Sequence, residues 1–133
     1  MNSMEREEIT HIFTAITGTE PPASFGEPFR SAFTATYTNG SNEEITAAAY
    51  ICSIFLSSIL EGFPTEKLHT FVNYIKENCY RFMFDCKMYD TILEKIDNDS
   101  LKRVIILDKS GKAITKECSR EDIKEAFDFY TNR

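Results

Sequence analysis

Residues 45–60 are the longest stretch of this chain without a formal charge, and they read ITAAAYICSIFLSSIL. A helical projection at 100° per residue surrounds most of this stretch with apolar side chains. One narrow sector is polar and contains Thr46, Tyr50, Ser53, Ser57 and the glutamate that follows the stretch, Glu61. The pattern predicts a helix over about residues 43–61 that is buried over most of its circumference.

The flanks of this helix are informative as well. Ser41 stands three residues before Glu44, which is the spacing of a capping box, and Gly62 and Pro64 are typical of a helix end. A membrane span is the alternative, but sixteen uncharged residues reach only about 24 Å, short of a hydrocarbon core of roughly 30 Å. Both flanks are acidic, without a Lys or Arg to anchor an orientation. We therefore expect a core helix and no membrane contact.

Length and composition predict one soluble domain, residues 1–133, in the cytoplasm. A chain of 133 residues can bury a sizeable core, and 42% apolar with 27% charged residues is ordinary for a globular protein. The amino terminus is acidic and lacks the apolar segment of a signal peptide. The four cysteines are widely spaced, and neither His11 nor His69 has a cysteine close by in sequence. We expect reduced thiols, no metal site and no cofactor.

Helical periodicity recurs on both sides of the central helix. Residues 3–17 form an amphipathic pattern that ends at Gly18, and Ser119 opens a last helix with Asp122 at the capping-box position. Residues 64–97 also keep helical spacing, either as one helix of about thirty residues or as two with a bend near Asp85. These patterns predict a mainly α fold, a helical bundle around the central helix.

Residues 18–41 interrupt this periodicity with prolines and glycines. Aromatic side chains nevertheless recur at every fourth position: Phe25, Phe29, Phe33 and Tyr37. Pro28 is tolerated at the first helical position and favours a short helix over residues 29–37, whereas an edge strand before an Asn39-Gly40 turn is the alternative. We interpret the segment as a strap whose aromatics cover the central helix. The alternative interpretation is an aromatic loop that anchors a partner.

Residues 103–115 predict a small β-hairpin before the last helix. An apolar run, VIIL, is followed by the turn sequence DKSG and then by AIT. A helix from Ser100 to Lys109 is the competing prediction, because apolar residues in this range also fit helical spacing. A lone hairpin is marginally stable in water, so we expect it to pack on the helices or to pair elsewhere.

The sequence contains no local motif for catalysis. No histidine is paired with a nucleophile, and a glycine-rich nucleotide loop and a basic face interleaved with aromatics are both lacking. We therefore predict no catalytic residue and no direct nucleic-acid binding. The clearest functional pattern is the charge distribution: residues 1–66 contain nine acids and two bases, net −7, whereas residues 67–133 contain twelve acids and thirteen bases, net +1.

This asymmetry favours a non-enzymatic protein-binding module that engages a basic partner protein through its acidic first half. Small, acidic immunity proteins and inhibitors that neutralise nuclease toxins have this profile, and complementary charge speeds such association. The predicted partner-binding residues are acids and aromatics of the first half: Glu5, Glu7, Glu8, Glu20, Phe25, Glu27, Phe29, Glu43 and Glu44. The alternatives are an adaptor subunit that oligomerises through its helices and a small enzyme whose site the sequence does not reveal.

Overall fold

The computed structural model describes residues 6–38, 40–78 and 82–132, with side chains from Glu8 onward. Within these residues the chain forms a mainly helical bundle with a two-stranded hairpin before its last helix, which confirms the predicted fold class. The helices are α1 Arg6–Thr17, α2 Glu27–Thr36, α3 Asn42–Glu61, α4 Thr65–Asn78, α5 Tyr89–Leu93, α6 Asn98–Lys102 and α7 Arg120–Thr131, and the strands are β1 Val104–Leu107 and β2 Ala113–Lys116.

Helix α3 is the centre of the fold, and α1, α2, α4, α7 and β1 all pack against it. The Ser41 side chain accepts a hydrogen bond from the Glu44 backbone N–H at 3.1 Å, and Gly62 ends the helix in the left-handed conformation at φ 75°. Among the described residues α3 has the length and hydropathy of a membrane span, but 67% of the apolar window is buried inside the fold. It is packed as a core helix.

Part of the strap forms a helix, α2 at Glu27–Thr36 against the predicted residues 29–37, and the strand alternative is wrong. Pro28 lies in the first turn of α2, where its missing N–H leaves no hydrogen bond unmade. Gly26 precedes the helix at φ 77°, and a Cβ there would lie 3.2 Å from the Cβ of Ala49 and 3.3 Å from its backbone carbonyl. Glycine therefore lets the start of α2 touch the backbone of α3.

The sequence left residues 64–97 open between one continuous helix and two helices, and the continuous helix is wrong. Helix α4 ends at Asn78, and residues 82–85 are not helical. Phe82 and Phe84 are buried whereas Met83 between them is 47% exposed, which is the two-residue alternation of extended backbone. The rings of Phe82 and Phe84 pack on Phe33 at centroid distances of 5.2 and 5.3 Å. Contacts made across the fold thus override the local helical spacing.

The hairpin is confirmed, and it packs on α3 as expected. Strands β1 and β2 are antiparallel, with Val104 opposite Lys116. The Leu107 backbone N–H donates to the buried hydroxyl of Ser57 at 2.9 Å, and Lys116 Nζ lies 2.7 Å from a carboxylate oxygen of Glu61. The competing helix is limited to α6, which ends at Lys102.

Candidate functional site

The loop between α1 and α2, residues 18–26, contains a serine with left-handed backbone beside a cavity. Ser24 has φ 63°, and no other non-glycine residue in the described ranges has a positive φ. For an L-residue this left-handed conformation costs roughly 1–2 kcal/mol. Next to it Phe25 is buried, with its ring 5.2 Å from Phe13 and 5.4 Å from Tyr50. A buried anchor therefore fixes a strained position at the surface, a combination found at ligand sites.

Two cavities meet at this loop. The first cavity, about 490 Å³, lies between the loop, α1 and α3, and the second, about 330 Å³, lies between the start of α2 and the segment from α5 to β1. Ser24 and Glu27 line both cavities. The first is otherwise lined mainly by Thr10, Glu20, Pro22, Arg30, Thr46 and Tyr50, and the second by Ser31, Lys95, Ile96, Asp97, Ser100, Arg103 and Ile105.

Glu27, between the two cavities, is already engaged by residues of its own helix. One carboxylate oxygen accepts from the Arg30 guanidinium at 2.9 Å, and the other accepts from the Ser31 hydroxyl at 2.8 Å. Arg30 and Glu27 side chains remain 32% and 43% exposed, so solvent weakens this ion pair. The first cavity thus contains one compensated pair and the exposed carboxylate of Glu20.

The second cavity has a different balance of charge. Asp97 accepts a hydrogen bond from the Ser100 backbone N–H at 2.7 Å, and this bond lowers the pKa of its carboxyl below the ordinary value. Lys95 and Arg103 are exposed, and neither takes part in a salt bridge within the described residues. The backbone around Lys95 is fixed by Arg120, whose guanidinium donates to the carbonyl oxygens of Leu93 and Ile96. Asp97 has no ion pair either, but its carboxylate is hydrogen-bonded, so Lys95 and Arg103 are the charged side chains of this cavity without a bonding partner within the described residues.

The predicted partner-binding residues occupy several places. Glu5 and the side chain of Glu7 lie outside the described residues. Glu20, Phe25 and Glu27 are brought together at the first cavity. Glu8 is exposed on α1, and Glu43 and Glu44 are half-buried in the first turn of α3. Phe29 is fully buried, with its ring 6.0 Å from that of Phe127, so a partner that docks on this conformation does not contact it.

The sequence interpretation missed Ser24, Lys95 and Arg103. Nothing in the local sequence marks Ser24, because its left-handed backbone follows from the packing around it. Lys95 and Arg103 lie 71 and 79 residues further along the chain than Ser24, and no short-range pattern connects positions so far apart. Only a prediction that α2 packs beside the segment from α5 to β1 could have joined them.

Metal binding and thiol chemistry have little support in the described residues. No group of three His, Cys, Asp or Glu side chains there is arranged to hold a metal ion. Cys52, Cys86 and Cys118 are free thiols. Burial raises the pKa of the Cys52 thiol far above its ordinary value and that of Cys118 to about 11, so both thiols stay protonated and weakly nucleophilic near neutral pH.

Comparison with known proteins gives one functional lead. The chain is 34% identical over 90 residues to a 3-dehydroquinate synthase of Parabacteroides distasonis, an alignment that covers 63% of this chain and 26% of the enzyme. The chain therefore spans about a quarter of the length of the curated relative it matches. No protein-family model matches the chain, and no solved structure matches it.

Proposed function

We propose that this chain is a binding protein for a small hydroxylated carboxylate, which it holds in the second cavity. The observation that carries the proposal is that the two cations of that cavity have no bonding partner within the described residues. Its carboxylates, Glu27 and Asp97, already accept hydrogen bonds, while Lys95 and Arg103 lack an ion pair within the described residues. An anionic ligand supplies the missing partner, and an arginine can bind a carboxylate through two parallel hydrogen bonds.

The remaining lining suits a compact ring that bears hydroxyl groups. Ile96 and Ile105 provide apolar surface, and the hydroxyls of Ser31 and Ser100 lie along the same cavity. A volume of about 330 Å³ is within the usual range for small-molecule sites, which combine apolar walls with a few polar groups. The relative is named for 3-dehydroquinate, a carboxylate by its name, and this supports the same ligand class.

The proposed function is ligand binding alone and does not include the synthase's whole reaction. The chain corresponds to about a quarter of the synthase. Among the described residues that line the two cavities, none is a histidine or a cysteine. Glu27 faces both cavities but already accepts from Arg30 and Ser31. These side chains offer positioning of a ligand rather than a nucleophile with its base.

Calorimetric titration of 3-dehydroquinate into the full chain tests this function. We expect saturable binding that weakens about tenfold in Lys95→Gln and in Arg103→Gln, the size expected for one charge-assisted hydrogen bond. Lys102→Gln is the matched control, since Lys102 is exposed next to Arg103 but does not line the cavity. Absence of saturation at about 10 mM ligand, or an equal loss in the control, would overturn the proposal.

A basic protein partner is a second candidate function, and the exposed acids of the first half favour it. Within the described residues Glu8, Glu20, Glu43 and Glu44 have no ion pair, so their charge is left for a cationic partner. Such a partner could be a nuclease toxin, as the immunity-protein profile suggests. Partners captured on the immobilised chain should be basic and should dissociate as salt rises.

The charge-reversed double variant Glu43→Lys with Glu44→Lys distinguishes a specific basic partner from non-specific binding. It should release the captured protein, whereas Glu117→Lys with Glu125→Lys, which reverses two exposed acids of the second half, should retain it. Retention by both variants, or a complex that salt does not weaken, would count against a charge-guided partner.

A further inference from the structure

A groove between α1 and α4 exposes apolar surface in the described structure. Two cavities of about 210 and 370 Å³ lie along it, and both are lined by Ile12 and Tyr74. Ile16 extends the floor, and all three of these side chains are only half-buried. Beneath the floor the rings of Phe13 and Phe71 meet at 6.2 Å and hold the two helices together. The shape of the groove is therefore set by the packing of α1 against α4.

The rim of this α1–α4 groove is acidic. Glu8 lies at one cavity and Glu77 at the other, and both are exposed. His11 is exposed beside Glu8, and none of the described residues that line the groove is Lys or Arg. The helix dipole favours an acid near the start of α1, which explains Glu8. It disfavours an acid in the last turn of α4, where Glu77 lies, so helix stability does not account for that carboxylate.

We propose that the α1–α4 groove binds a basic amphipathic helix of a partner protein. Two apolar side chains of that helix would enter the two cavities, and Lys or Arg side chains beside them would meet Glu8 and Glu77. Along α1 the lining residues Glu8, Ile12 and Ile16 step by four, so the cavities are offset by about one turn, roughly 6 Å. Side chains four apart on a docked helix have this same spacing.

Charge selects this occupant over the others. A second copy of the chain docked face to face would place its own Glu8 and Glu77 in the groove, because a two-fold interface uses the same patch on both copies. Nucleic acid and anionic membrane surfaces are repelled by the same two carboxylates. The α1–α4 groove shares no lining residue with the second cavity and contains neither Glu43 nor Glu44, so its occupant can be tested separately from both candidate functions.

The test uses a synthetic 18-residue peptide with Leu at helical spacing and Lys on both flanks, labelled for fluorescence anisotropy with the full chain. We expect saturable binding that weakens as salt rises, since exposed charges are screened. Replacing the Leu residues by Ser should abolish binding, and replacing the Lys residues by Glu should weaken it at least tenfold. These two peptides separate the apolar contribution from the charge.

The decisive variant is Glu8→Lys with Glu77→Lys, two exposed changes that leave the core intact. The affinity of this variant for the Lys-flanked peptide should be at least tenfold lower than that of the unmodified chain. Its affinity for the Glu-flanked peptide should be higher than that of the unmodified chain. The matched control, Glu94→Lys with Glu125→Lys, reverses two exposed acids outside the groove and should bind as the unmodified chain does.

Equal weakening in both double variants would overturn the proposal, because net charge alone would then explain binding. Salt-insensitive self-association of the chain through this groove would overturn it too. A native partner that the Glu8→Lys, Glu77→Lys variant still captures would bind elsewhere, which would leave the second candidate function standing and refute this surface.

Discussion

The two sides of α3 are packed to different degrees. Toward the hairpin the Ser57 hydroxyl donates to the Ser53 carbonyl at 2.8 Å and accepts from the Leu107 N–H at 2.9 Å, with all three residues buried. Toward α1 and α2, Thr46 and Tyr50 line a cavity of about 490 Å³. One helix thus has a closed side, made by β1 and α7, and an open side, made by α1 and the loop at residues 18–26.

This difference indicates where stability and binding reside. Close-packed interiors respond to the loss of single methylene groups, so the closed side should dominate the free energy of unfolding. The open side contains the strained Ser24 and the engaged Glu27, and both also line the second cavity, which is lined further by two cations and by Asp97. A site of this kind tolerates substitution better but changes affinity when it is altered.

The largest expected effect is the truncation of an aromatic on the closed side. Phe127 is fully buried, with its ring 6.0 Å from Phe29 and 5.5 Å from Phe84, so Phe127→Ala should lower the free energy of unfolding by about 3–5 kcal/mol. Phe25→Ala, beside the first cavity, should cost at least about 1 kcal/mol less, because a site next to a cavity relaxes more easily. Urea denaturation measures both. Equal losses would remove the distinction between the two sides.

The sequence predicts elements that have local signals better than a break that depends on distant contacts. Helix α3, the hairpin and α7 depend on local patterns, and the capping box between Ser119 and Asp122 forms as expected. The break after α4 depends on Phe82 and Phe84 packing against distant aromatics, and local spacing does not encode it.

The candidate site is predictable only in part. The acidic and aromatic pattern of the first half identifies Glu20, Phe25 and Glu27, which do meet at the first cavity. Lys95 and Arg103 come from another region of the chain and reach the second cavity through tertiary packing. A local sequence pattern can identify the lining residues that come from one segment. It does not predict which distant segment packs opposite them.

A pair of serines on α3 provides an intermediate effect. Ser53 and Ser57 are both fully buried, but within the described residues the Ser53 hydroxyl has no hydrogen-bond partner, whereas Ser57 serves the hairpin. Ser57→Ala leaves the Leu107 N–H unsatisfied and should cost about 1–3 kcal/mol in urea denaturation. Ser53→Ala buries no new polar group and should be neutral or stabilising. A loss in Ser53→Ala as large as that in Ser57→Ala would mean that the hairpin bond contributes nothing specific.

The smallest expected effect is on the open side, at Ser24. A left-handed backbone costs a serine roughly 1–2 kcal/mol, and a glycine loses about 0.4–1 kcal/mol through the greater freedom of its unfolded chain. Ser24→Gly should therefore raise the free energy of unfolding by up to about 1.6 kcal/mol, as measured in urea. Ala23→Gly is the control, because Ala23 has no positive φ to relieve and should only lose stability.

The same variant tests whether the strain serves the ligand. Ser24 lines both cavities, so a strained backbone that positions the wall for 3-dehydroquinate should make Ser24→Gly more stable and weaker in binding. Calorimetric titration beside the urea curves measures the two quantities on one protein. Higher stability with unchanged affinity would show that the strain only lets the loop reach α2, and the open side would then be defined by its cavities and charges alone.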